Sequence, residues 1–215
     1  MESPRGYASP LRTEQAALTR SRIIDAARTA FVTNGYLGTT LAAVARDAGV
    51  SVQTVYNVIG GKAVLLKTVY DVTLAGDDEP IPMADRPEVR AVTAAPTARE
   101  SLARYAEMGR AIAERVLPLV GMALAQAASG DAELASFAET IEAERAAGTT
   151  ATARHVAERF GLRDGVDVHM AQDILWALTS PELTDRLVNR RHWGWDRFQI
   201  WLGTAMADAL VGPGG

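Results

Sequence analysis

No cysteine occurs anywhere in the 215 residues, which excludes disulfides, thiolate catalysis and sensing by thiol oxidation. Histidine is nearly as scarce. The three present, His155, His169 and His192, lie in separate segments, and none has a carboxylate or second histidine at zinc-site spacing. A phosphate-binding glycine loop and a serine elbow are also missing, since Gly60-Gly61-Lys62 lacks the remainder of a P-loop. There is no apolar run of about 18 residues, as a membrane span needs, and no early basic start with an apolar middle, as a secretory signal has. These absences argue against an enzyme, a metal site or bound cofactor and a membrane partner; a cytoplasmic location is expected.

What is present is apolar residue in quantity, 48% of the chain, ample for a core. The net charge of -4 conceals an asymmetry: residues 1–64 hold seven Arg or Lys against four Asp or Glu, whereas residues 65–215 hold 15 against 22. The positive end of the chain is therefore the N-terminal end, a setting that permits nucleic-acid binding there. Strand signals, internal repeats and low-complexity segments are absent, so the expected fold class is all-α.

The most informative stretch runs from Gly38 to Lys62. Thr40 is a candidate N-cap, Leu41, Val44, Ala45 and Ala48 follow at helical spacing, and Gly49 suits the left-handed backbone that ends a helix. Ser51 then caps a second short helix. On a helical wheel Val52, Val55 and Ile59 fall on one side, Gln53, Thr54 and Asn57 on the other, and Tyr56 at the border. Two short helices joined by a glycine turn, the second presenting amides and hydroxyls, is the outline of a helix-turn-helix that reads DNA. Gln53 and Asn57 each offer an amide able to donate to and accept from an adenine edge. Thr54 and Tyr56 offer hydroxyls to phosphate oxygens, Thr40 adds a hydroxyl at a helix N-terminus, and Lys62 adds charge.

The order Thr39-Thr40, Val44-Ala45, Gly49-Val50-Ser51, Thr54-Val55-Tyr56 and Gly61-Lys62 resembles the DNA-binding region of TetR-family transcriptional regulators. The resemblance runs back through Ile23 and forward to about Leu66, roughly a quarter of the chain. It departs from the family pattern at Ile59, where an aromatic is usual, and at Asn57-Val58, which replace a commonly basic or aromatic pair. Asp173 to Glu182 and Arg191 to Phe198 look like the final helices of many regulators of this family. The resemblance implies a DNA-binding protein that acts as a homodimer on a palindromic operator and holds a small-molecule effector in its larger helical domain.

The chain divides accordingly. Residues 1–12, with Arg5 and Arg12, read as a flexible arm that could reach DNA, and residues 13–61 as the helix-turn-helix domain, whose first helix starts near Glu14 or Thr19 and stops at Gly35. Residues 62–215 form the ligand-binding and dimerisation domain, entered through a connecting helix at 62–76. Four prolines and the run Asp77-Asp78-Glu79 mark residues 76–96 as a solvated linker. A capping box at Thr97 starts a helix that Pro118 interrupts, a further helix follows from Leu119 to Ala128, and a long one runs from Asp131 to Phe160.

The late helices carry more apolar faces than a monomer of this size can cover. Leu175, Leu178, Phe198, Trp201, Leu202 and Ala205 are expected to pair with a second copy in a four-helix bundle. Tyr105, Met108, Ile112, Met122, Phe137 and Trp176 are candidate pocket walls; Glu142 and Glu144 read as solvent charges, and few charges fall on the inner faces, so the expected effector is mostly apolar. Three functions compete: a repressor released by its ligand, a DNA-binding regulator with no ligand, and a carrier or enzyme with an incidental helix-turn-helix.

Overall fold

Caps and a glycine turn set the lengths of the short N-terminal helices. Thr40 Oγ1 accepts the N–H of Ala43 and opens α2 (Leu41–Ala48), which Gly49 closes in the left-handed region at φ 67°. Ser51 accepts the N–H of Thr54 and opens α3 (Val52–Val58). The computed structural model describes residues 10–127 and 130–212, and among them there are ten α-helices, a short 3-10 turn, a π-helical stretch and no strand. The fold class expected from sequence is the one observed.

Helix α1 (Pro10–Gly38) begins earlier than the sequence suggests, because proline at the first helical position is already set for the helix. Pro10, Leu11 and Arg12 therefore lie in a helix and not in an arm; Arg5 and the rest of residues 1–9 fall outside the described residues. The helical path breaks at Gly35, φ 73° and ψ 170°. A Cβ there would stand 2.0 Å from Nε2 of Gln126, a side-chain end that can turn aside, so it is the positive φ that favours glycine.

Helix α4 (Lys62–Ala75) leads into residues 76–96, which are not a structureless linker. They contain a 3-10 turn at Met83–Asp85 and a helix, α5 (Pro87–Ala94), with proline at its first turn. Pro87, one of the four prolines that suggested a loop, starts this helix, and burial of Val92 together with a 2.9 Å bond from Ser101 Oγ to the Val92 carbonyl holds it. Pro118 likewise fails to interrupt: α6 runs unbroken from Ala98 to Ala127. A proline in a helix costs about 3 kcal/mol, but Val116, Leu117, Leu119 and Val120 on either side of it are all buried, each worth about 1.5–3 kcal/mol. Tertiary packing outweighs the local cost.

The remaining helices are α7 (Ala132–Phe160), α8 (Val168–Leu178), α9 (Pro181–Thr184), a π-helical stretch at Asp185–Arg190, and α10 (Trp195–Leu210). Two apolar cores result. The first joins α1–α4 to the C-terminal half of α6 and the start of α7 through Phe31, Tyr36, Leu65, Leu66, Leu119 and Leu134. The second joins α5, the N-terminal half of α6, the end of α7, α8 and α10 through Leu102, Val156, Leu175, Phe198, Leu202 and Met206. Helices α6 and α7 run through both, so the N-terminal module is packed on the body.

Candidate nucleic-acid interface and ligand cavity

Val55 is fully buried and anchors α3, leaving its opposite side to solvent. Ser51, Gln53, Tyr56 and Asn57 are exposed there, Thr54 is half-buried, and Thr40 is exposed at the start of α2. Gln53 Nε2 donates to Asn57 Oδ1 at 2.9 Å, one helical turn away. This pairing holds the two amides side by side and still leaves the Gln53 oxygen, one Gln53 N–H and both Asn57 N–H groups free for a base edge. Ser51 Oγ and Thr54 Oγ1 stand 2.8 Å apart. The Thr40 oxygen accepts from Ala43 at 3.1 Å, but its own O–H is still available to a phosphate. Arg22 of α1 donates to the Ala48 carbonyl and so ties the turn before α3 to the first helix.

One expectation at this end needs correction. Val52 does not belong to the underside of α3; it is 39% exposed, because the core covers only the part of the helix around Val55. Lys62, at the start of α4, turns toward α1. Its ammonium lies 4.1 Å from the centroid of the Tyr36 ring, where partial burial lowers its pKa while Asp131 and Glu133 favour its charge. Tyr36 itself is buried and donates its hydroxyl to Glu133 of α7, and burial first, then that carboxylate, raises its pKa far above the phenol range. Lys62 and Tyr36 therefore join the N-terminal module to α7.

Inside the body lies a cavity of about 810 Å³, bordered by α4, α5, α6 and α7, within the size range of small-molecule sites. Of the six wall residues expected from sequence, Tyr105, Met108 and Ile112 line it. The other three do not. Phe137 packs edge-on against Tyr70 at 5.5 Å, and Met122 packs on the first core, where its sulfur accepts the Tyr36 N–H at 3.2 Å. Trp176 stands 42% exposed on α8 and donates to Glu142 at 3.1 Å. Spacing identifies buried residues, but only the crossing of helices decides which of them border a void.

The walls also carry more charge than expected: Arg20, Arg86 and Arg145 with Asp71, Asp77, Asp78, Glu79, Glu142 and Glu144. Most are paired. Arg86 grips Asp77 with two nitrogens at 2.8 and 2.9 Å, and this bond, foremost, lowers the Asp77 carboxyl from its ordinary 3.8 to about 2. Asp78 receives Arg20 of α1 at 2.6 and 3.1 Å. Glu142 binds Arg145 at 2.8 Å and Glu144 binds Lys67 of α4 at 2.8 Å. Neither glutamate is a free solvent charge, and Asp77-Asp78 is a clamp rather than a solvated run. The sequence signal for it was the acidic pair directly after the helix-ending Gly76, whose partners are remote in the chain. Arg115 of α6 completes the junction by donating to the Thr73 and Leu74 carbonyls at 3.0 and 2.7 Å, at the C-terminus of α4.

Of the residues expected at a dimer interface, Leu175, Phe198 and Leu202 are buried inside the chain and are unavailable to a partner. Leu178, Trp201 and Ala205 are half-buried. The large apolar side chains that α8 and α10 do expose are Met170, Trp176 and Ile200, the last 70% exposed. The wheel identified the apolar faces correctly and the body uses most of them. Among the described residues no group of His, Asp or Glu is arranged to hold a metal ion, and no helix is long and apolar enough to cross a membrane.

Residues 23–69 match the family described as bacterial regulatory proteins, tetR family. No curated protein matches the chain. Among solved structures the chain is similar to SmeT in complex with triclosan, at 20% identity over 91% of this chain and 93% of that one with a TM-score of 0.68. It is similar to the transcriptional regulator FadR from Bacillus subtilis in complex with stearoyl-CoA, at 17% identity over 86% and 96% with a TM-score of 0.64. The fatty acid degradation regulator FadR from Bacillus halodurans shares 15% identity over 87% and 94%, with a TM-score of 0.65. At these identities the likeness is one of fold.

Proposed function

We propose that the chain is a regulator of the TetR family, whose DNA-binding module matches residues 23–69, and that it is a repressor released from a palindromic operator by a small, mostly apolar ligand. The observation that carries this reading is the paired amides of Gln53 and Asn57 on the exposed side of α3, next to the hydroxyls of Thr54 and Tyr56. Amides read base edges; hydroxyls, Thr40 among them, hold phosphates and set the register. Lys62 supports the module through Tyr36 and reaches a phosphate only by leaving that ring.

The active form is a homodimer, paired through the outer sides of α8 and α10 with Met170, Trp176, Ile200 and the half-buried Leu178, Trp201 and Ala205. Its two readers would stand about 34–36 Å apart, or a multiple of that. The effector occupies the 810 Å³ cavity, and the solved relatives that hold triclosan or stearoyl-CoA support a ligand for this fold. Release requires that the ligand prefer a state in which the readers are differently placed. Helix α4 borders the cavity and packs on α1, and the Asp78–Arg20 pair adds a second connection between them.

The test begins by selecting the operator from random duplex DNA and measuring binding at several salt concentrations. Binding that falls with salt and prefers a two-fold symmetric site is expected, because phosphate neutralisation releases counterions. A screen of apolar compounds against that complex then looks for release. Absence of any sequence-preferring binding refutes the DNA-reading role, and a ligand that fills the cavity without changing DNA affinity refutes the release mechanism.

A further inference from the structure

We infer that Val52 reads the 5-methyl group of a thymine in the major groove, which places an A·T base pair in each half-site at or next to the pair that Gln53 meets; this rests on α3 being the DNA reader. Of the apolar side chains from Val50 to Ile59, Val50, Val55, Val58 and Ile59 pack into the first core. Val52 and Tyr56 do not. They stand one helical turn apart, 39% and 52% exposed. Stability gives no reason for a valine at this place, since Val52 joins neither core. A β-branched residue also favours a helix less than alanine, leucine or glutamate does, and α3 has only seven residues.

Position supplies the reason. A helix-turn-helix enters the major groove with the N-terminal end of its second helix, and Val52 is the first residue of α3, directly after the Ser51 cap. Gln53 follows it, exposed and with its amide paired to Asn57. The solvent side of α3 therefore carries two parallel rows, Val52 with Tyr56 and Gln53 with Asn57. An isopropyl group neither donates nor accepts a hydrogen bond, so phosphate oxygens and the polar parts of base edges offer it nothing. The thymine methyl is the apolar group on the major-groove edge, and apolar side chains contact it. A cytosine in that place presents an amine instead, which the valine would desolvate without pairing, so the contact rejects one base as well as favouring the other.

The experiment replaces each thymidine of the selected operator in turn, in both half-sites, by deoxyuridine, which lacks only that methyl group, and titrates the full chain at fixed salt. At one position binding is expected to weaken about fourfold for each methyl lost, the value of one buried methyl group. Val52→Ser removes both side-chain methyls at a place outside the cores and should bind the thymidine and deoxyuridine operators equally. Val52→Ala is the second variant should the serine chain not fold, and should reduce the difference between the two operators. Absence of any thymidine whose methyl matters overturns the inference and leaves Gln53 and Asn57 as readers. A methyl effect that persists undiminished in the Val52 variants also overturns it, because another side chain then makes the contact. Failure to select any operator removes the DNA-reading function and this inference with it.

Discussion

Replacing Gln53 by alanine separates base reading from everything else α3 does. In the free protein the side chain is exposed and its one side-chain hydrogen bond is the 2.9 Å bond to Asn57, an i,i+4 pair worth about 0.2–0.5 kcal/mol. The thermal midpoint should therefore hardly move. On DNA the loss of a bidentate adenine contact is worth about 1–3 kcal/mol, or roughly 5- to 160-fold, and only at the base pair it reads. The assay is a binding titration at fixed salt against the selected operator and its single-base variants. Gln53→Ala should flatten the preference at one position, whereas Tyr56→Ala should weaken all sequences alike. The structure adds a further test, because Gln53 could act by holding Asn57 in place. In that case the double variant loses no more than Asn57→Ala alone; independent contacts would add. A Gln53→Ala protein that ranks every operator variant as before refutes the reasoning.

Other outcomes follow from the same geometry. Ser51→Ala removes the α3 cap and should cost about 1 kcal/mol of stability, measured by denaturant unfolding. Leu175→Ala, in the second core, should destabilise the protomer by about 2–5 kcal/mol, while Ile200→Glu should leave the fold intact and shift sedimentation toward monomer. Because Arg86 lowers the Asp77 carboxyl from 3.8 to about 2, the stability this pair contributes is complete above the higher value and lost as pH falls through the lower. Acid unfolding of Asp77→Asn should lack that component, so its curve should converge on the unaltered protein near the acid end. Asp78→Asn breaks the link to Arg20 at a half-exposed site, so stability should change by less than about 1 kcal/mol, with the effect appearing as weaker ligand-induced release of DNA; unchanged release would exclude this link as a transmitter.

The failures of sequence reasoning have particular causes. In the sequence, proline reads as a breaker at position 118 and as a loop signal at 87, yet both residues lie in helices. At 87 the error was local, since proline suits a first turn. At 118 no local signal could have helped, because the helix persists on the burial of its neighbours against other helices. Lys62 illustrates a different limit. Its place at the start of α4 was legible, but its direction, toward the Tyr36 ring, depends on where α1 and α7 run.

What the sequence determined by itself is whatever depends on near neighbours. The helical class, the caps at Thr40 and Ser51, the left-handed turn at Gly49 and the polar side of α3 all follow from residues within one or two turns of each other, where backbone geometry leaves few choices. Only the tertiary structure decided which apolar faces are consumed inside the protomer, so that Leu175, Phe198 and Leu202 went to the core and Ile200 to the surface. It also decided that Met108 borders a void while Met122 does not, and that Asp77 and Asp78 grip Arg86 and Arg20. Those outcomes turn on where whole helices cross. A helical repeat states which side of a helix is apolar, but not which neighbour will cover it.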